Sequence, residues 1–189
     1  EEWGKFESAF NFEMNNVFRE IMFFERDHAD DEKRIYKLKN LFIKHIRREF
    51  LHGQYILHSL TKPYGYAGDF EIIDAIYVNE PATMGFDRLY DNYCQMSSIS
   101  VAVRNRKDDF KRCIKRLLRE QSGKPLRILD LGTGPGRLIR ELLLENPDLV
   151  RDNVTYECVD NDPIALEYAK KLLPPFKGLV FTQESAVRL

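Results

Sequence analysis

The chain has 189 residues, with 29 lysines and arginines against 30 aspartates and glutamates, and 43% of it is hydrophobic. That length carries one domain, or one and a half, with a sizeable core, and the balanced charge gives no electrostatic reason to expect nucleic acid or a membrane surface as partner. Cys94, Cys113 and Cys158 show no Cys-x-x-Cys spacing, which fits reduced thiols in a cytoplasmic protein, and no apolar run has the length of a signal peptide or a membrane span.

Trp3, Phe6, Phe10, Met14, Val17, Phe18, Ile21 and Met22 recur at spacings of three and four, which predicts a helix over 1–24. The polar run 26–31 ends it, and Asp30 or Asp31 is placed to cap a second helix. Ile35, Leu38, Phe42, Ile46 and Phe50 form that helix's apolar face, and its many lysines and arginines read as a solvated basic one. His28, His45, His52 and His58 share no ligand spacing, so no metal site is expected. In the stretch 61–71, TKPYGYAGDFE, Pro63 discourages helix before it, and Asp69 is placed to cap a helix bearing Phe70, Ile73, Ile76 and Tyr77. Tyr64 and Tyr66 on this glycine-bearing loop suit either the wall of a pocket or a surface turn packed by its own aromatics.

Pro81 to Gly85 is another break. A short helix with Phe86, Leu89, Tyr90 and Tyr93 follows, and Ser97 or Ser98 opens the next. The long helix expected over about 100–121 turns Val103, Phe110, Ile114, Leu117 and Leu118 inward. Gly123-Lys124-Pro125 ends it and divides a helical domain, 1–122, from a second domain, 123–189. Between Arg104 and Arg127 ten basic residues face only Asp108, Asp109 and Glu120, a segment that either attracts an acidic substrate or headgroup or is a solvated helix face. Few aromatics interleave with it, which argues against single-stranded nucleic acid.

The most informative stretch is 126–144, LRILDLGTGPGRLIRELLL. A short apolar run passes through a glycine-rich turn into a segment of helical period, half of a nucleotide-binding βαβ unit. The glycines let a ligand approach the backbone, and the helix beyond points free N–H groups at the loop. Further strands are expected at 154–160 and 178–182. The first of these ends in Asp160, placed to accept from ribose hydroxyls; Asn161 or Asp162 then caps a helix with Pro163 in its first turn. The glycines at 132, 134 and 136 are spaced Gly-x-Gly-x-Gly, and Arg137 stands where a dinucleotide fingerprint wants its last glycine. Asp130 is poor company for a pyrophosphate and better suited to an ammonium group.

With these residues the stretch resembles motif I of the class I S-adenosylmethionine-dependent methyltransferases, and Asp160 resembles their second-strand acid. The string 63–71, PYGYAGDFE, is also similar to one found upstream of the core in bacterial proteins of 3-hydroxypalmitic acid methyl ester (extracellular factor) biosynthesis. The resemblance implies an α/β protein: an all-helical N-terminal domain, then the first half (βαβαβ) of a Rossmann-like sheet, truncated after its third strand. It implies S-adenosylmethionine as cofactor, with Asp130 on the methionine part, Gly132, Thr133, Gly134 and Gly136 beneath the ligand, Asp160 on the ribose and Asn161 beside the adenine. After the third strand the family often has Gly-Asp-Ala against the adenine; here Glu184 and Ser185 take the first two places, leaving Ser185 and the amide of Ala186 as candidates.

The implied substrate is a small molecule or lipid, with a fatty acid carboxyl group as one form. A carboxylate acceptor is ionised at neutral pH and needs positioning rather than a base. Candidates for acceptor-side chemistry are Tyr64, Tyr66, Asp69 and Arg104, with Arg106 as an alternative to Arg104 for pairing with a carboxylate. Two other classes stay open: a non-catalytic cofactor-binding or interaction module, and a nicotinamide-dependent oxidoreductase, which Arg137 and Asp130 disfavour. A three-stranded sheet leaves an unpaired edge, through which a homo-oligomer is expected.

Overall fold

A computed structural model describes residues 2–50, 52–149, 152–185 and 187. Among them run eight α-helices and three strands: α1 (Glu7–Asp27), α2 (Glu32–Phe50), α3 (Gln54–Thr61), α4 (Phe70–Val78), α5 (Asp87–Met96), α6 (Ser98–Glu120), β1 (Leu126–Leu131), α7 (Arg137–Glu145), β2 (Val154–Asp160), α8 (Pro163–Leu172) and β3 (Leu179–Gln183). Short 3-10 turns lie at Glu2–Phe6 and Pro147–Leu149. The chain packs as two units, one of residues 1–67 and 80–97, the other of 68–79 and 98–189. Packing therefore divides the chain elsewhere than at 122/123: α4 and α6 belong with the sheet.

The first unit is helical, and its tightest point is a buried carboxylate. Asp91 of α5 accepts from the backbone N–H groups of Gln54 (2.8 Å) and Tyr55 (3.2 Å) at the start of α3, and from the Thr83 hydroxyl. It thus does from another helix what a local cap residue would do. A Cβ on Gly53 would lie 2.5 Å from an Asp91 oxygen, which is why glycine precedes α3. Leu89 is fully buried beside this point. Phe10 of α1 meets Phe86, Tyr90 and Tyr93 edge-on, and the Tyr93 hydroxyl donates to Asn15 Oδ1 at 2.8 Å. Asp31 opens α2 by accepting from the Arg34 N–H at 3.0 Å.

The second unit is a small parallel sheet, order β1-β2-β3, with β2 central. Period-two alternation sends Leu126 and Ile128, then Val154, Tyr156 and Cys158, then Leu179 and Phe181 to one face. There they pack against Ile114 and Leu118 of α6, Ile139, Leu142 and Leu143 of α7, and Ala169 of α8. The opposite face is open over β1, where Leu129 and Leu131 are about half exposed. Its centre is held by Glu157, which accepts from the Arg127 guanidinium and, at 2.8 Å, from the Thr182 hydroxyl. The basic stretch on α6 divides: Arg106, Arg112, Arg116 and Arg119 are exposed, as a solvated face requires, whereas Lys107, Lys111 and Lys115, four residues apart on one face, meet Glu141 and Glu145 of α7. Those lysines neither form a solvated face nor wait for an acidic ligand; they are consumed between two helices.

Candidate functional site

β1 ends against a turn whose shape is dictated by three left-handed glycines, Gly132 (φ 68°), Gly134 (φ 53°) and Gly136 (φ 70°). The N–H groups of Gly132 and Thr133 both donate to the Val159 carbonyl (2.8 and 3.0 Å), which folds the turn over the end of β2. The glycines serve different ends. At Gly136 a Cβ would press 3.2 Å from the Ala169 Cβ and 3.3 Å from Leu173, so this one allows α7 and α8 to approach. At Gly132 a Cβ would meet nothing within 4 Å, so this one leaves room beside the loop. Gly136→Ala combines positive φ with a tight contact and is expected to destabilise the protein by about 1–3 kcal/mol, read as a lower urea midpoint.

Two carboxylates flank the turn. The Asp130 side chain accepts from the Thr133 hydroxyl at 2.8 Å. Burial raises its pKa above the ordinary carboxylate value and the charge of Asp160 raises it further, while the Thr133 bond works against both. Asp160 accepts from the Gly134 N–H (2.8 Å) through one oxygen and from the Asp162 N–H (3.0 Å) through the other. Each oxygen keeps a second lone pair for an external donor. Asp162 caps α8, accepting from the Ile164 N–H at 2.8 Å, with Pro163 in the first turn.

Asn161 lies exposed at the tip of β2, and the Glu184 N–H donates to the Asp160 carbonyl at 3.1 Å, which carries Ser185, just past β3, to the same end of the sheet. The Ser185 N–H is taken by the carboxylate of Glu184 at 2.8 Å. Ala186 lies outside the described residues. Asp130, Gly132, Thr133, Gly134, Gly136, Asp160, Asn161 and Ser185 thus share the carboxyl end of one parallel sheet, where open α/β sheets place their ligands.

The acceptor-side candidates divide between the two units, Tyr64 and Tyr66 in the first and Asp69 and Arg104 in the second. Asp69 is fully buried and caps α4, accepting from the N–H groups of Glu71 (3.0 Å) and Ile72 (3.2 Å), and these two bonds are structural. Tyr64 and Tyr66 belong to the first unit; the Tyr64 ring sits 6.4 Å from that of His58, and Tyr66 is half exposed. Arg104 is half-buried on α6 and Arg106 exposed.

One cluster escapes any reading of the sequence. Arg137, the first residue of α7, forms a two-pronged pair with Asp74 of α4 (Nε to Oδ1 and Nη2 to Oδ2, both 2.6 Å), and the Tyr168 hydroxyl donates to the same carboxylate at 2.7 Å. This pins α4 next to the glycine turn: a Cβ on Gly134 would come 4.0 Å from that of Phe70, and the Phe70 ring lies 5.2 Å from that of Tyr168. Its only sequence signal was an arginine where a dinucleotide fingerprint has glycine.

Cys158, buried under the turn, has its thiol pushed up to about 12 by burial, with Asp130 adding to the effect; such a thiol is a packing group rather than a nucleophile. Among the described residues no three His, Cys, Asp or Glu side chains converge as a metal site, and no helix is long and apolar enough to cross a membrane. Compared with protein-family models, curated proteins and solved structures, the chain gives no match.

Proposed function

We propose that the sheet unit binds S-adenosylmethionine and that the protein is a methyltransferase acting in the cytoplasm on a small molecule or lipid, a fatty acid carboxyl group being the acceptor the sequence resemblance favours. The observation that carries this reading is the pair of carboxylates, Asp130 and Asp160, either side of a glycine turn with open space beside Gly132. A partly buried carboxylate with a raised pKa is an unfavourable anion until a cation joins it, which suits the ammonium of a methionine moiety and opposes a pyrophosphate. Asp160, held by two backbone amides, retains lone pairs directed by a rigid strand end, which suits a ribose diol.

In this reading Asp130 orients the amino-acid end of the cofactor, Asp160 fixes the ribose, Asn161 and Ser185 border the base, and the turn from Gly132 to Gly136 forms the floor. The bound cofactor supplies an already electrophilic methyl group. What remains for the chain is to hold donor and acceptor in line and to exclude water. A carboxylate acceptor would need no proton removed, which agrees with Asp69 being committed to a helix cap.

The competing nicotinamide reading wants backbone room where Arg137 stands, and that side chain is committed to Asp74. Calorimetric titration separates the two: S-adenosylhomocysteine is expected to bind with measurable heat and NAD to give none. Binding of NAD alone would reverse the assignment. A chain that binds the former without methylating any lysate component would be a cofactor-binding module.

A further inference from the structure

The first unit presents two long helices that bury almost nothing. None of the 21 residues of α1 is buried, although it carries Phe18, Met22 and Phe23 at 43%, 58% and 42% exposure. In α2 no residue from Glu32 to Arg47 is buried either, and Leu38, Leu41 and Phe42 are each about 40% exposed. Helices of this length owe most of their stability in proteins to packing of an apolar face; Phe10 and Phe18 meet the rings of α5, and among the described residues the rest of these faces stays largely uncovered. Between them runs a groove of ≈ 450 Å³ lined by Ile21, Phe24, Ile35, Leu38 and Leu41 with Glu20 at its border.

The charges say what fits there. Along α1 the apolar positions Phe10, Met14, Val17, Ile21 and Phe24 alternate by four and three, and the residue before each of Met14 and Ile21 is acidic: Glu13 and Glu20, continued by Asp27 at the same seven-residue interval. In a coiled-coil register these are flanking positions, the ones that select a partner helix. On α2 the position before Ile35 is Arg34 and the one seven residues on is the apolar Leu41, but over 32–47 six basic residues, Arg34 among them, stand against Glu32 alone. The other shoulder of the seam is already used within the chain, where Lys39 pairs with Glu25 at 2.5 Å. One helix is acidic along its free shoulder, and the other is basic as a whole.

We infer that α1 and α2 form the dimer interface of this protein, two copies packing their hairpins about a two-fold axis so that α1 of each lies on α2 of the other in a four-helix bundle. A surface with one acidic and one basic helix is complementary to itself under a two-fold rotation, as an isologous contact requires. An anionic membrane would be attracted to α2 and repelled by Glu13, Glu20 and Asp27, and an acidic peptide would leave α1 unpaired. A second copy satisfies both helices.

The test uses the full chain and sedimentation equilibrium. The unaltered protein is expected to be a dimer at about micromolar concentration. Reversing α1 with Glu13→Lys and Glu20→Lys, or α2 with Arg34→Glu and Arg47→Glu, is expected to weaken the homodimer at least tenfold, with unchanged circular dichroism showing that the fold is kept. Mixing the two variants should restore a heterodimer close to the unaltered affinity, since each reversed helix then meets its opposite. A monomeric wild-type chain at about 100 μM, or a mixture that stays monomeric, overturns the inference. So does co-sedimentation of a monomer with phosphatidylserine vesicles.

Discussion

Replacing Asp74 with alanine is expected to destabilise the sheet unit by about 3–5 kcal/mol, the cost of leaving one member of a buried ion pair alone. The Asp74 side chain is 6% exposed and that of Arg137 15%, so water reaches neither well enough to replace the lost partner. The geometry makes the loss larger than that of a surface pair, because both prongs of the guanidinium fork and the Tyr168 hydroxyl end on one carboxylate. Urea unfolding, with hydrogen exchange of the α4 amides to place the effect in this unit, reads the change. A double variant, Asp74→Leu with Arg137→Met, should cost much less, since it removes the stranded charge together with its partner. The Tyr168 phenol gives a second readout. Its pKa is raised to about 12, by burial first and by the Asp74 bond next, so it should titrate at lower pH in Asp74→Ala. A cost below about 1 kcal/mol would place the pair with ordinary surface salt bridges, and α4 would then need another reason to stay beside the glycine turn.

Arg137 also marks where reading the chain by period stops working. What the sequence made legible was local. β1 and β2 fall on 126–131 and 154–160 as their apolar runs predict, and β3 starts one residue later than expected. Asp31, Asp69 and Asp162 cap the helices that follow them, each through an N–H two or three residues on, a contact that spacing alone can foresee. What was not legible was every interaction whose partner is far along the chain. Asp74 and Arg137 are 63 residues apart, and nothing near either one announces the other. Lys107, Lys111 and Lys115 looked like solvated or ligand-seeking charge because Glu141 and Glu145, which absorb them, belong to a helix about 30 residues on. The start of α3 had no cap signal because its cap, Asp91, arrives from α5. The compact units depart from the 122/123 punctuation for the same reason: Gly-Lys-Pro marks the end of α6, whereas the side to which α6 packs is decided by Ile114 and Leu118 meeting the sheet.

Asp130→Asn should separate stability from ligand binding, moving them in opposite directions. With its pKa raised above the ordinary value, folded Asp130 holds its proton over a pH range in which the unfolded chain has lost it. In that window the folded state binds more protons, so the contribution of this group to stability is complete below the unfolded pKa and is lost as pH rises through the folded one. At neutral pH the ionised carboxylate is therefore a burden on the empty protein. Asparagine has nearly the same shape and can still accept from the Thr133 hydroxyl, so the variant should be at least as stable as the unaltered protein at pH 7 and lose its advantage below about pH 4. Binding should move the other way. A cationic amino-acid group is held by the ionised form, so the affinity of the unaltered protein for S-adenosylhomocysteine should fall as pH drops through the raised pKa. The variant should bind about 10–100-fold more weakly at pH 7, the worth of one charge-assisted hydrogen bond, and should show a flatter pH profile. Thermal unfolding and calorimetry across pH 4 to 8 read both quantities on the same samples. A residue kept only for packing would show no such opposition: its replacement would weaken the fold and leave the pH dependence of binding unchanged. An anion held at a stability cost where a cation is expected to dock has the signature of a binding group.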